Sequence, residues 1–97
     1  MPEFKEEEKK VVERVRKIVG RNIAARRKSL GLNSDDIAHD AHLNRSHYSE
    51  IEQGKLLPNY YILLKIASVL NFTLDDLYDG AKEEVQQFLI KIHTDDE

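Results

Sequence analysis

The sequence predicts an all-α protein that forms a single domain over residues 1–97, and three observations support this prediction. Apolar residues recur at intervals of three and four along most of the chain, which is the spacing of one face of an α-helix. No stretch shows the strict alternation of apolar and polar residues that indicates a half-buried strand. Ninety-seven residues, 40% of them hydrophobic, suffice for one core and are too few for two.

The first predicted helix runs from Phe4 to Leu30. Its apolar face consists of Val11, Val12, Val15, Ile18, Val19 and Ile23. Gly20 interrupts this face, which indicates either a bend in the helix or a point where another backbone approaches closely. Gly31 supplies the left-handed residue that commonly follows the end of a helix.

Two short helices follow, joined by a tight turn. Asn33 is a good N-cap for a helix that reaches about Ala41, and Asn44 is a good N-cap for a helix that ends at Gly54. Only two residues separate the first of these helices from the second cap, so the connection must be a sharp helix–helix turn. The apolar spacing turns Tyr48 and Ile51 of the later helix towards the core.

The rest of the chain predicts three more helices. Asn59 caps the fourth helix, and Asn71 is a plausible left-handed stop for it. Thr73 begins a short fifth helix, and the last helix follows Gly80. The last helix has a single apolar face that comprises Ala81, Val85, Phe88, Leu89 and Ile92.

The charges are distributed unevenly along the chain. Residues 1–28 contain 10 Lys and Arg against 5 Asp and Glu, whereas residues 29–97 contain 5 against 13. The overall net charge of −3 therefore combines a basic first helix with an acidic remainder. Because phosphate binding needs a local basic face and not a basic whole, this distribution permits nucleic-acid binding; a solvated helix surface explains the basic run equally well.

Several functions are disfavoured by composition. The chain has no cysteine, so thiolate metal sites, disulfides and cysteine nucleophiles are excluded. His39, His42 and His47 lack the spacing and companion ligands of a metal site. We find no catalytic serine–histidine–acid set and no phosphate-binding glycine loop, and therefore expect no enzyme activity, no cofactor and no metal. Without a signal peptide or a membrane-spanning apolar run, we expect a cytoplasmic protein.

Residues 19–78 contain a set of residues in a familiar register, which are Arg27, Gly31-Leu32, Ile37-Ala38, Leu43-Asn44-Arg45-Ser46, Ile51-Glu52-Gln53-Gly54-Lys55, Pro58, Ile66-Ala67 and Leu70. In these residues the segment resembles the phage Cro/repressor-type helix-turn-helix family of the xenobiotic-response-element class. The resemblance implies a five-helix, repressor-like helix-turn-helix domain that binds DNA. Residues 4–18 would then be an extension of the first helix, and residues 80–93 an extra C-terminal helix.

Base contacts are expected along one edge of the third helix. A helix reads the major groove with its N-terminal residues, and Arg45, Ser46 and Glu50 share one outward edge. Arg45 can donate two parallel hydrogen bonds to guanine, and Glu50 can accept one from cytosine or hold Arg45 in position. Ser49 borders the same edge. In the resembled family, the positions of Arg45, Ser46 and Glu50 are the usual base readers.

Phosphate contacts are expected around this edge, where they would fix the register of the protein on the duplex. Ser34 lies at the start of the second helix, where the resembled family frequently has a glutamine. The full set of candidate phosphate contacts is Ser34, Asn44, His47, Lys55, Asn59 and Arg21, with Asn22 as an alternative to Arg21.

The resemblance also implies two structural features. Arg27 and Glu52 should form a partly buried ion pair between the first helix and the end of the third. His42 stands where the family usually has glycine, so the turn should carry modest strain.

The two outer segments suggest dimerisation. One recognition helix reads only a few base pairs, so proteins of this kind normally bind palindromic sites as pairs. We expect residues 4–18 to pack on the last helix, and Val85, Phe88, Leu89 and Ile92 to form a homodimer interface. The predicted function is a homodimeric transcription regulator that binds double-stranded DNA. The alternative is an antitoxin or other protein-interaction module with the same fold, which the acidic segment 29–97 and Glu50 favour.

Overall fold

The computed structural model describes the backbone of residues 2–95 and the side chains of residues 5–94. This part of the chain contains six helices and no strand, which confirms the predicted all-α class. The helices are α1 (Pro2–Ser29), α2 (Ser34–Asp40), α3 (Arg45–Glu52), α4 (Tyr60–Leu70), α5 (Leu74–Leu77) and α6 (Ala81–Asp95). The last helix extends two residues beyond its predicted end at residue 93. None of the helices in the described residues is long and apolar enough to cross a membrane.

Short polar side chains set where the inner helices begin. The side-chain oxygens of Asn33, Asn44 and Asn59 accept hydrogen bonds from the first backbone N–H groups of α2, α3 and α4. Thr73 does the same for α5, and Asp76 completes the capping box by accepting from the N–H of Thr73. Asn71 ends α4 in the left-handed conformation, with φ of 52°. These bonds satisfy the N–H groups that a helix start leaves without partners.

The core lies where α2, α3 and α4 pack against the C-terminal half of α1. Its fully buried side chains are those that the helical spacing places inward, including Ile23, Tyr48, Ile51 and Ile66. Leu77 of α5 closes one side of this cluster. In this core, the residues that the helical spacing predicts to face inward are therefore the ones that the fold buries, and α2 and α3 are packed against α1 and α4.

The N-terminal half of α1 extends beyond this core and pairs with α6. Arg14 donates to the Glu84 carboxylate at 2.7 Å, and Lys91 Nζ lies 2.8 Å from Glu7 Oε1, so the two helices run antiparallel. Val11 and Phe88 are buried between them. The predicted packing of the N-terminal extension on the last helix is present within one chain.

Gly20 marks the close approach of two backbones. The C-terminal end of α3 abuts α1 at this glycine, so that a Cβ placed there would lie 2.4 Å from the carbonyl oxygen of Ile51 and 2.5 Å from that of Glu52. Gly54, just after α3, contacts the backbone of Lys17 one turn earlier on α1. Of the two explanations that the sequence allowed for Gly20, close approach is the observed one.

The turn between α2 and α3 contains a left-handed residue that is not glycine. His42 has φ of 54°, a region that side chains with a Cβ rarely adopt. The backbone N–H of Leu43 bonds to the carbonyl of Ala38 at 2.8 Å across the turn. The strain that the resemblance implied for His42 is therefore visible in its backbone, and the tight turn fixes the angle at which α3 leaves α2.

Candidate nucleic-acid interface

The third helix is held along its inner face and exposed along its outer face. Tyr48 and Ile51 are fully buried and fix α3 against the core. Arg45, Ser46 and Glu50 point away from the core and are exposed. A helix that is anchored on one side and open on the other has the shape needed to enter the major groove.

A hydrogen-bonded network anchors the C-terminal end of α3 to α1. Arg27 donates two parallel hydrogen bonds to the carboxylate of Glu52, with Nε–Oε2 at 2.7 Å and Nη2–Oε1 at 3.1 Å. The hydroxyl of Tyr48 donates to the same carboxylate. Arg27 also donates through Nη1 to the carbonyl of Leu32. The ion pair implied by the resemblance is thus part of a larger network. This network joins three elements: α1, α3, and the loop between α1 and α2.

The network shifts the protonation equilibria of two of its members. The hydrogen bond to Glu52 raises the pKa of Arg27, although burial opposes that shift. Burial raises the pKa of Tyr48 well above its usual range, and the bond from its hydroxyl to the Glu52 carboxylate adds to the increase. Both groups therefore keep their protons at neutral pH, and the anchor of α3 is fixed as a hydrogen-bonded cation–carboxylate–phenol cluster.

The outer side of α3 and the start of α2 form one shallow concave surface, which we call the reading surface. It is lined by Ser34, Asp35, Leu43, Asn44, Arg45, Ser46, Ser49, Glu50, Gln53 and Lys55. All four predicted base readers and three of the six predicted phosphate contacts fall on it. Two acids and two bases line it, so the surface carries both signs of charge and no net basic excess.

Arg45 is held by an acid on α2. Its Nε donates to Asp35 Oδ1 at 2.9 Å, and its Nη2 lies 2.9 Å from Asp35 Oδ2. The sequence suggested that Glu50 either accepts from cytosine or holds Arg45 in position, and the second of these suggestions was wrong. In the described residues, the ion pair of Arg45 is with Asp35, across the turn. Arg45 and Asp35 remain 75% and 58% exposed, so the pair lies at the surface of the protein.

The remaining candidate phosphate contacts do not line the reading surface. Arg21 and Asn59 are exposed on α1 and at the start of α4, respectively. His47 is only half exposed, and its Nε2 is buried without a hydrogen-bond partner among the described residues. The amide of Asn22 donates to the carbonyls of Leu77 and Asp79, so this alternative to Arg21 links α1 to α5 instead.

Two polar residues of the reading surface, Asp35 and Gln53, and the apolar Leu43 were not among the sequence-based contact candidates. The sequence does not indicate that Asp35 contacts Arg45, because this contact depends on how α2 and α3 cross. Gln53 is exposed one turn beyond Ser49, and its Nε2 donates to the Ser49 hydroxyl at 2.9 Å. Helical spacing from Ser46 and Ser49 would have placed Gln53 on the same edge, and a glutamine can read adenine.

The predicted dimerisation residues have different environments within one chain. Phe88 is 8% exposed because it packs on α1, so most of its surface is already used. Val85 and Leu89 are 40% and 46% exposed. Ile92 is partly buried. Two of the four residues therefore present substantial apolar surface to solvent, and Val12 of α1 does so too, at 40%.

The chain is similar to known proteins in sequence and in fold. A family described as "Helix-turn-helix domain" matches residues 20–83. Among solved structures, the chain is similar to the clp gene regulator ClgR from Corynebacterium glutamicum, with 17% sequence identity, 84% of each chain covered and a TM-score of 0.64. At that identity the likeness shows a shared fold. No curated protein matches the chain.

Proposed function

The chain belongs to the helix-turn-helix domain family of DNA-binding transcription regulators, and from that premise we propose that it is a cytoplasmic, sequence-specific regulator that binds a palindromic operator as a homodimer. The main support for the proposal is the reading surface, where the exposed edge of α3 and the start of α2 lie together on one side of the molecule. In the proposed complex, α3 lies in the major groove.

The residues of the reading surface take two roles in this proposal. Arg45, Ser46, Ser49 and Glu50 contact base edges. Ser34, Asn44 and Lys55 contact phosphates, and Arg21, His47 and Asn59, which lie outside the reading surface, add further phosphate contacts. Arg45 contributes most to base recognition because an arginine can donate two hydrogen bonds to guanine, whereas a carboxylate such as Glu50 is repelled by nearby phosphates unless it is paired.

Selection from a pool of random duplexes tests the DNA-binding proposal. We expect the protein to enrich one sequence with two-fold symmetry. On that sequence, Arg45→Ala should cost roughly 1–3 kcal/mol and relax the preference at one position. Lys55→Ala should weaken binding to the selected and to random duplexes alike. Lys82→Ala, which removes an exposed positive charge on α6, is the matched control and should leave both affinities unchanged. Equal losses for Arg45→Ala on all duplexes would assign Arg45 to a phosphate instead.

The homodimer is proposed to form through an apolar edge of the α1–α6 pair, which consists of Val12, Val85 and Leu89. Successive helical residues are rotated by about 100°. On α6, Glu84 and Lys91 therefore lie on one side of Phe88, and Val85 and Leu89 on the other. The first side carries the two ion pairs to α1. The second side is apolar and exposed, which is the surface that a self-complementary two-fold interface would bury.

Light scattering tests the dimer. The unmutated protein should have the mass of two chains, and Leu89→Glu should give monomers. Ile90→Glu is the matched control, because Ile90 is 65% exposed on the same helix but lies on the face away from α1. Phe88→Glu would be a poorer test, since it would also disrupt the packing of α6 on α1. A monomer at high concentration would contradict the proposed interface.

A second candidate function is a protein-interaction module, such as an antitoxin. One observation favours it: Leu57, Tyr60, Tyr61 and Leu64 form exposed apolar surface around the start of α4, with Tyr60 78% exposed. Exposed aromatic surface of this kind is typical of protein contacts. Failure to enrich any sequence from the random pool would favour this candidate over a sequence-specific regulator.

A further inference from the structure

Asp35 and Arg45 form an ion pair whose geometry leaves half of the arginine free. A guanidinium carries five N–H donors in one plane. The side edge of Arg45, made by Nε and Nη2, donates to the two carboxylate oxygens of Asp35 at 2.9 Å each. The opposite end, made by Nη1 and the second hydrogen of Nη2, is not used by Asp35. That end presents two parallel N–H donors, which is the pattern that the O6 and N7 atoms of guanine accept.

We propose that Asp35 is a positioning residue that holds Arg45 for end-on recognition of guanine, so that the helix before the turn sets the base preference of the helix after it. The proposal rests on the DNA-binding function proposed above. It assigns to the first helix of the motif a part in specificity, in addition to its expected contacts to phosphate.

The exposure of the pair argues for a positioning role. At 75% and 58% exposure, an ion pair adds little to the stability of the fold. It nevertheless restricts a long side chain that would otherwise sample many rotamers, and restricting it before binding lowers the entropy lost when the contact to DNA forms. The pair is therefore better suited to orienting Arg45 than to stabilising the domain.

The charge of Asp35 also bears on what Arg45 can bind. An unpaired arginine gains from any phosphate, and such contacts carry no sequence information. When the carboxylate of Asp35 offsets the charge of Arg45, the attraction to phosphate falls, while the two free donors still fit the edge of guanine. Asp35 should therefore lower binding to random DNA and raise the preference for guanine at one position.

Parallel selection from one random duplex pool, carried out with the full chain, tests the proposal. The proteins are the wild type, Arg45→Ala, Asp35→Asn and Asp36→Asn. Asp36 is the matched control, because it is an exposed acid in the same first turn of α2 and makes no contact with Arg45 among the described residues. Both Asp→Asn variants remove one negative charge and a similar interaction with the dipole of α2. Thermal melts of all four proteins verify that each is folded.

The expected result is specific to one position. A bidentate arginine–guanine contact discriminates against other bases by roughly 10- to 100-fold. We expect the wild type and Asp36→Asn to share a guanine position that Arg45→Ala loses. Asp35→Asn should reduce the preference at that position by about three- to tenfold while binding random duplexes at least as well as Asp36→Asn does. Replacing the guanine by 7-deazaguanine should weaken wild-type binding more than Asp35→Asn binding.

Two results would overturn the proposal while leaving the DNA-binding function intact. The first is a selected sequence for Asp35→Asn that matches that of Asp36→Asn at every position. The second is an equal gain in affinity on all duplexes for Asp35→Asn with the guanine preference unchanged, which would make Asp35 a mask for Arg45. Failure of the wild type to select any sequence would instead contradict the proposed function itself.

Discussion

The two ends of α3 carry the same interaction in two different environments. At the C-terminal end, Arg27 donates two hydrogen bonds to Glu52, and their side chains are 15% and 13% exposed. At the N-terminal end, Arg45 donates two hydrogen bonds to Asp35, and their side chains are 75% and 58% exposed. The bond lengths are alike, so burial is the main difference between the pairs.

Burial decides what each pair can do. Removing one partner of a buried pair leaves a desolvated charge, whereas removing one partner of an exposed pair returns the other to water. The buried pair, together with Tyr48, therefore fixes where α3 ends against α1. Loss of the exposed pair should leave the fold nearly unaffected. In the proposed complex, the pair would instead control how Arg45 contacts DNA. One helix is thus anchored at one end and adjustable at the other.

The largest expected effect comes from changing the acid of the buried pair to its amide. Glu52→Gln keeps the shape of the side chain but leaves Arg27 without a charge partner, and only one oxygen in place of two remains to accept hydrogen bonds from Arg27 and the Tyr48 hydroxyl. The free energy of unfolding should fall by about 3 kcal/mol, at the lower end of the range for buried pairs because some exposure remains. Urea denaturation measures it. A loss below about 1 kcal/mol would place this pair with ordinary surface pairs.

The next largest effect concerns the close packing of the C-terminal end of α3 against α1 at Gly20. Helix propensity alone predicts that Gly20→Ala would stabilise α1 by about 1 kcal/mol. A Cβ at residue 20, however, would meet the carbonyl oxygens of Ile51 and Glu52 at 2.4 and 2.5 Å. Because both atoms belong to the backbone, α1 and α3 must separate, and we expect a net loss of roughly 2–3 kcal/mol.

Chemical denaturation measures whether Gly20→Ala raises or lowers the free energy of unfolding. Ala25→Gly, at an exposed site on the same helix, is the control for propensity and should cost about 1 kcal/mol. A stabilised Gly20→Ala protein would mean that the close approach at Gly20 is easily relieved, and the contrast between the two ends of α3 would weaken.

The same contrast explains what could be predicted from the sequence. Features that depend on neighbours in the chain were predicted correctly, including the caps at Asn33, Asn44 and Asn59 and the inward face of α3. The left-handed residues Gly31 and Asn71 also follow from local chemistry. Hydrogen bonds within a turn of helix are set by a few residues, so a single sequence suffices to locate them.

Features that depend on how helices cross were harder to predict. The Arg27–Glu52 pair was expected only because the chain resembles a known family. Holding Arg45 in position was one of two roles suggested for Glu50, and it was wrong. Asp35 contacts Arg45 instead, and this contact depends on the angle between α2 and α3. The part that Tyr48 plays in the buried network was missed, since an inward tyrosine reads as core until its hydroxyl has a partner. Dimerisation through α6 remains a prediction.

A smaller effect on the free energy of unfolding should appear at alkaline pH. It comes from Tyr48 in the buried network at the C-terminal end of α3. An unfolded tyrosine loses its proton near pH 10, whereas burial and the Glu52 carboxylate hold the pKa of Tyr48 above that value in the folded protein. Above about pH 10 the unfolded state releases a proton that the folded state keeps. The free energy of unfolding should therefore fall by up to about 1.4 kcal/mol per pH unit from this group.

Tyr48→Phe isolates that contribution. The variant should be less stable than the wild type at neutral pH, since Glu52 loses a donor. The difference between the two proteins should then shrink as the pH rises above 10, because only the wild type has a phenol at residue 48 to titrate. Urea denaturation from pH 7 to 11 measures both quantities. A constant difference over this range would show that Tyr48 does not contribute to the alkaline loss of stability.

The smallest effect is expected at the exposed end, where the same acid-to-amide change should leave the fold almost intact. Asp35→Asn and Arg45→Ala should each alter the free energy of unfolding by no more than about 0.5 kcal/mol. Asp36→Asn removes a neighbouring acid from the same helix start, so subtracting its effect from that of Asp35→Asn isolates the ion pair from the helix dipole. Denaturation in low and high salt should agree once this is done, because little pair energy remains to be screened. If Asp35→Asn lowered the free energy of unfolding nearly as much as Glu52→Gln does, the exposed pair would also hold α2 to α3. Arg45 would then have a structural role in the fold in addition to any role in DNA binding.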